Sequence, residues 1–234
     1  GPTYGGHYHQ DKGAFILEAG GEALAYDRGV TSYDHPEVNL IGLASRHNLL
    51  YPEAPDGRFI IQPRDVCGAT LTDAREEDGV FMAVSDNLKA WEPGVFTYNV
   101  RRVFSPSPEL YVIDDEVTLD AVMPVSFRVS TPLVSTATSA GVTITGQRYA
   151  LHIVPLNWRP AEVTTTAEGL DSHLEPANLV RLVAPAGPAF RLLTALIVTD
   201  ARASPPETPP GAAAAPEVRF GGLQVRAVTA DNAL

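Results

Sequence analysis

A cluster of histidines and aspartates near the start of the chain has the residue types and spacing of a metal site. It comprises the run Gly6-His7-Tyr8-His9-Gln10-Asp11, then Asp27, then Arg46-His47-Asn48. Side chains of an extended segment alternate between faces, so His7, His9 and Asp11 are expected on one face of a strand. Asp27 follows 18 residues after His9, and His47 a further 20 on. Two imidazoles and one carboxylate from this set, with a water, would make a four-coordinate zinc site of ordinary composition. Asp11 is read as an orienter of a histidine rather than a ligand. Isolated histidines are more often surface or hydrogen-bonded core residues, and His35, His152 and His173 are read that way.

Whether Asp27 can join the histidines depends on the element that carries it. Residues 13–18 and 22–27 read as two strands joined at Ala19-Gly20-Gly21, a hairpin signal. A three-residue loop would set Asp27 opposite Gly13, on the face of the histidines, because cross-strand partners point the same way. A two-residue loop would set it on the wrong face. Further strands are expected at 79–84, 95–104, 110–117, 125–129, 141–148, 150–155, 179–184, 190–199 and 218–227. The turn Ser105-Pro106-Ser107-Pro108 should close an antiparallel pair over 98–115. Residues 58–65 and 161–178 read as loops, with one helical turn near 175–178. Twenty prolines and nineteen glycines punctuate short runs rich in Val, Thr, Ile, Phe and Tyr. That pattern predicts an all-β fold, a large antiparallel β-sandwich of stacked sheets. Residues 1–202 would form the sandwich with the metal site near its start, 203–216 a Pro/Ala-rich loop, and 217–234 terminal strands of the same domain.

The 234 residues suffice for a sizeable core, and 44% are hydrophobic. No apolar run approaches the roughly 20 residues that span a bilayer. A net charge of -11 argues against nucleic acid or an anionic membrane as partner. The single cysteine, Cys67, excludes an intrachain disulfide and a multi-cysteine zinc site, and reads as a small buried apolar residue. No signal peptide is visible. The opening directly onto the histidine cluster suggests a fragment of something longer.

The same residues carry a family likeness. The run from Gly6 through His7, His9, Asp11 and Gly13 to Phe15, then Gly21 to Asp27-Arg28-Gly29, then Tyr33 and Arg46-His47-Asn48, resembles the heparinase II/III-like polysaccharide lyases. So do Arg101-Arg102-Val103-Phe104 and Tyr111-Val112-Ile113-Asp114-Asp115. The likeness covers about the first 130 residues. It implies the C-terminal β part of an enzyme whose N-terminal α/α toroid lies outside this sequence. It further implies His9, Asp27 and His47 as ligands of a structural zinc, His7 as the active-site histidine, and Tyr33 as a residue reaching substrate. Arg28 and Arg46 are then the local cations for an acidic polysaccharide, alginate-like or a glycosaminoglycan, cleaved by β-elimination. A periplasmic or secreted location is expected for such an enzyme, with the cytoplasm also compatible, and open strand edges would allow a homodimer. Two other readings remain. A cupin-like metal barrel would use the His-x-His step, although its expected glutamate is missing after His9. A carbohydrate-binding or assembly module would use the metal for structure alone.

Overall fold

The computed structural model describes residues 8–29, 34, 38–64, 68–138, 141–168, 177–202, 217–220 and 223–226. His7, Tyr33, His35, Cys67, His173 and the 203–216 segment lie outside the described residues.

Strand is the dominant element, as the composition predicts. A short hairpin, β1 (Leu17–Ala19) and β2 (Glu22–Ala25), precedes a single turn of helix, α1 (Val38–Ile41), and a 3-10 turn at Ala44–Arg46. Next come β3 (Leu50–Pro52), β4 (Thr70–Glu77), β5 (Val80–Asp86), β6 (Phe96–Ser107) and β7 (Leu110–Thr131). The series continues with β8 (Val134–Thr138), β9 (Gly141–Thr145), β10 (Tyr149–Pro155), β11 (Glu162–Glu168) and β12 (Ala177–Asp200). A separate hairpin, β13 (Glu217–Phe220) with β14 (Leu223–Arg226), follows.

Ten strands form one antiparallel sheet in the order β4-β5-β6-β7-β12-β10-β9-β8, with β3 added beside β7 and β11 beside β12. Among the described residues the path is open from β4 to β8, unlike the closed barrel of the cupin alternative. The spine is the ribbon of β7 and β12, 22 and 24 residues long. It is paired at both ends and interrupted between Ala184 and Ala189. The gaps left between expected strands at 118–124 and 185–189 are therefore register irregularities within continuous strands. A stretch punctuated by proline reads as a loop in sequence, yet two long neighbours can carry it as an irregular ladder.

Both faces of this ribbon are used. Val125, Phe127 and Val129 join Val180 and Leu182 in the main core, with Leu24, Leu49, Ile144 and Ile153. Leu110, Val154, Leu156, Ala195 and Ile197 form a second, smaller cluster. The alternate residues Ser126, Arg128 and Ser130 are buried polar groups, and they receive the segment that carries His47. Trp91 is core. His152 is a satisfied core histidine, set 3.0 Å from each of the Thr143 and Thr199 hydroxyls.

Other elements differ from expectation, β3, β4 and β8 among them as strands the sequence did not show. Residues 8–16 form no strand: they turn at Lys12 and Gly13, where Ala14 N–H donates to the Asp11 carbonyl at 2.9 Å. The 98–115 pair turns two residues later than predicted, because Ser107 pairs with Leu110 and Pro106 sits in a register shift. Glu162–Glu168 is a strand rather than loop, its Thr-rich run completing the sheet against β12. The helical turn near 175–178 is absent from its described part, since Ala177 and Asn178 open β12.

Candidate metal centre

Asp27 arrives by an unexpected route. The hairpin turn has two residues, Gly20 and Gly21, with φ of 54° and 84°. Positive φ at both central positions is the type I′ geometry that matches strand twist, and glycine adopts it freely. An uninterrupted ladder from that turn would face Asp27 away from the site. The register instead shifts between Leu17 and Glu18: Glu18 pairs with Ala23 and Leu17 with Ala25. Leu24, fully buried, is the extra residue. This bulge gives Ala25 the parity that a three-residue loop would have given, but the ladder ends there, and Asp27 reaches the site from the coil that follows.

His9 sits on coil, not on a strand face, and main-chain anchors hold it. Gln10 N–H donates to the Gly42 carbonyl at 2.8 Å, and the Gln10 side chain accepts from Gln62 N–H at 3.0 Å. The buried Gln62 grips Lys12 in return, accepting from its N–H and donating to its carbonyl, each at 2.9 Å. His47 follows the 3-10 turn and is clamped by its neighbour. Asn48 donates to the Phe15 and Tyr26 carbonyls at 2.7 and 3.2 Å and accepts from Ser130 N–H at 2.6 Å. One side chain thus ties both arms of the hairpin and β7 to the residue beside the ligand. Beneath it, buried Arg101 makes a fork to Asp115 at 2.7 and 2.9 Å. Its remaining nitrogen donates to the Gly13 and Asn48 carbonyls at 2.7 and 3.2 Å.

These anchors bring His9, Asp27 and His47 together, with one candidate ligand atom from each lying within 4.8 Å of the others. His47 Nδ1 is 3.0 Å from Asp27 Oδ2, and His9 Nδ1 is 4.0 Å from Asp27 Oδ1. The imidazole centroids are 5.3 Å apart. The hydrogen bond from His47 is the main reason that Asp27 is held at a pKa of about 2; burial opposes it, and Gly29 N–H, 2.8 Å from Oδ1, reinforces it. Asp27 is therefore ionised and accepts, so Nδ1 of His47 carries the proton in this arrangement. Burial first, and then the neighbouring His47, hold the His9 imidazole below its ordinary 6.5, in the neutral form that a metal requires.

The donor set fits a divalent cation. Metal–ligand bonds of about 2.0–2.2 Å in a tetrahedron put ligand atoms about 3.3–3.6 Å apart, between the 3.0 and 4.0 Å separations here, so an ion would take the place of the His47–Asp27 hydrogen bond. Nε2 of His47 is also buried with no hydrogen-bond partner among the described residues, so its ring is not fully satisfied as it stands.

The other expected residues fall around this centre. Asp11 pairs with Lys12 at 2.8 Å and reaches His9 only as a nearby charge. Arg28 is 8% exposed, more enclosed than a surface cation. Arg46 ends the 3-10 turn and lines a neighbouring cavity. Asn48, Arg101 and Asp115 carry the family likeness in sequence without a role attached to them, and nothing in the sequence singles out Gln62. Arg101 and Asp115 face each other across β6 and β7, a pairing that depends on both the turn after Ser107 and the register shift between Phe104 and Ser107.

No protein-family model matches the chain, and no curated protein matches it. Solved structures do. A heparinase III, the BT4657 gene product, superposes with a TM-score of 0.70 and 17% identity, over 97% of this chain and 38% of that one. The heparan sulfate lyase HepC of Pedobacter heparinus gives 0.67 and 15%, over 94% and 37%. This chain has the fold of part of a heparinase III. It spans little more than a third of the length of those proteins, and at such identity the likeness establishes architecture alone.

Proposed function

We propose that the chain is the β portion of a polysaccharide lyase that cleaves a uronic-acid-containing polysaccharide by β-elimination. The observation that carries this reading is the convergence of His9, Asp27 and His47, far apart in sequence, inside a fold shared with heparan sulfate lyases. His9, Asp27 and His47 would hold zinc. Bound there, the ion cross-links the coil, hairpin and loop that meet at the site, a structural role.

β-Elimination removes the C5 proton of a uronate, passes through an enolate-like species and expels the 4-O oxygen. The step needs a base that titrates near neutrality and cations to stabilise charge on the sugar carboxylate. His7, two residues before His9, is assigned as that base or its partner, and Tyr33 as a contact to substrate. Arg28 and Arg46 supply positive charge, and Asp11 tunes His9 through space. The remaining catalytic groups and most of the binding groove would come from a toroid domain preceding this chain. The acidic charge of -11 is compatible with that division, since the polyanion would be gripped mainly elsewhere.

Zinc content of the purified chain, and turnover of a toroid-containing version on heparin, heparan sulfate, alginate and hyaluronan, test the assignment. His7→Ala should abolish formation of the unsaturated uronate while leaving zinc bound; His47→Ala should lose the metal. The 234-residue chain alone should show little turnover. Robust cleavage by it, or full activity of the His7 variant, would refute the assignment.

A further inference from the structure

Immediately behind the turn that delivers His47 lies a cavity of about 310 Å³, lined by Arg46, Tyr51, Arg58, Phe59, Arg128 and Arg181 among others. Its size is at the lower end of ligand clefts, about 300–1,000 Å³. The floor is the polar face of the sheet where β3, β7, β12 and β11 lie side by side. Arg128 and Arg181 are direct cross-strand partners on β7 and β12. Like charges placed opposite one another normally destabilise a sheet. Here a single carboxylate oxygen, Oε1 of Glu53, accepts from both guanidiniums, at 2.8 and 2.9 Å. One negative charge thus answers two positive ones.

Arg128 is otherwise committed. It donates to the Ser126 hydroxyl and the Ser45 carbonyl and lies 4.1 Å over the Tyr51 ring. Arg181 is not. It hydrogen-bonds only the shared Glu53 oxygen among the described residues, and its side chain keeps 27% of its surface exposed where it lines the cavity. A guanidinium that shares its one carboxylate oxygen with a second arginine has donors to spare, and an oxyanion is the group whose geometry suits them. At the rim Phe59 is 51% exposed, a flat apolar ring beside the charge. Apolar ring next to guanidinium is the combination that holds a sugar face together with its acidic substituent.

We propose that this cavity is an acidic-saccharide subsite in which Arg181 receives a carboxylate or sulfate oxyanion and Phe59 supports the sugar ring. The choice of a saccharide rests on the proposed lyase function; the need for an oxyanion rests on the arginine pair alone.

The test is calorimetric or NMR titration of the 234-residue chain at low ionic strength. The probes are an unsulfated glucuronate/N-acetylglucosamine tetrasaccharide, its N-sulfated counterpart and uncharged chitotetraose. Saturable binding of either acidic probe, with chitotetraose at least about tenfold weaker, is expected; which acid binds better identifies carboxylate or sulfate as the group received. Arg181→Ala should weaken acidic binding by about tenfold or more while its melting temperature holds or rises, because Glu53 and Arg128 then pair one to one. Phe59→Ala should weaken it with the fold unchanged. Equal binding by wild type and Arg181→Ala, or preference for chitotetraose, would overturn the subsite. So would a clear loss of stability in Arg181→Ala, which would mark the arginine as structural. Binding here needs no turnover, so a failed lyase assay with intact oxyanion binding would remove the enzyme reading and leave the subsite standing.

Discussion

Arg101 decides how firmly the candidate centre is held. Its fork to Asp115 is buried, and its third nitrogen holds the carbonyls of Gly13 and Asn48, beside the two segments that deliver His9 and His47. Arg101→Met leaves Asp115 as a buried unpaired charge and should cost about 3–5 kcal/mol in urea unfolding. Pairing it with Asp115→Leu should recover much of that stability, since an apolar pair of similar volume replaces the ion pair. Zinc affinity should stay low in the double variant, because the two carbonyls still lack their donor; recovery of affinity would show that the arginine acts through charge pairing alone. Glu53 behaves differently. Burial pushes its pKa up, but Arg128 and the hydrogen bonds from Ser126, Arg128 and Arg181 outweigh burial and hold it below its ordinary 4.5. A carboxyl depressed on folding adds stability that is present above 4.5 and lost as pH falls through the folded value. Glu53→Gln should therefore flatten the acid limb of stability below pH 4.5, measured as the denaturant midpoint against pH, and lower the neutral plateau. The ligand residues were legible in the sequence because histidine and aspartate announce their chemistry. The arginine anchors were not, since their role lies in which carbonyls they reach.

The hairpin that carries Asp27 shows what alternation can and cannot give. The Gly20-Gly21 turn is legible as a turn, but the sequence leaves its length open between two and three residues and gives no sign of the buried leucine inserted into the ladder. Bulges follow from how one side chain fits the core, which no pattern of period two records. The same limit moved the β6–β7 turn by two residues and hid β4 and β11, whose polar, Thr- and Glu-rich residues form strands through pairing rather than through an apolar face. The turn itself is testable. A Cβ at Gly20 would meet the Tyr149 ring at 2.5 Å with φ at 54°, whereas one at Gly21, with φ at 84°, meets nothing within 4 Å. Gly20→Ala should cost about 1–3 kcal/mol and weaken zinc binding as Asp27 shifts. Gly21→Asn, a residue that tolerates positive φ, should stay within about 0.5 kcal/mol of wild type in thermal melts.

Across the molecule, the β7–β12 ribbon supplies both the apolar core and the polar face on which the His47 segment lies, so fold and site share one spine. The site joins a coil, a two-strand hairpin and a short loop to that spine, and these have little regular structure of their own. Coil 8–16 is held by side chains such as Gln62, Asn48 and Arg101 rather than by a ladder. A metal bound by the folded state alone stabilises it by RT ln(1 + [L]/Kd), about 2.7 kcal/mol at a hundredfold excess over Kd. For a domain of this size about 2–4 °C accompanies each kcal/mol, so a chelator should lower the melting temperature by about 5–10 °C. The loss should be local before it is global. Hydrogen exchange should rise first in residues 8–29 and 42–49 of the chelated protein, while the ladder between β7 and β12 keeps its protection. A chelator that leaves the melting temperature and the exchange of the hairpin unchanged would show that these three side chains hold no ion. A uniform rise across the whole sheet would show instead that the metal closes the core itself, and that the hairpin and the spine unfold as one unit.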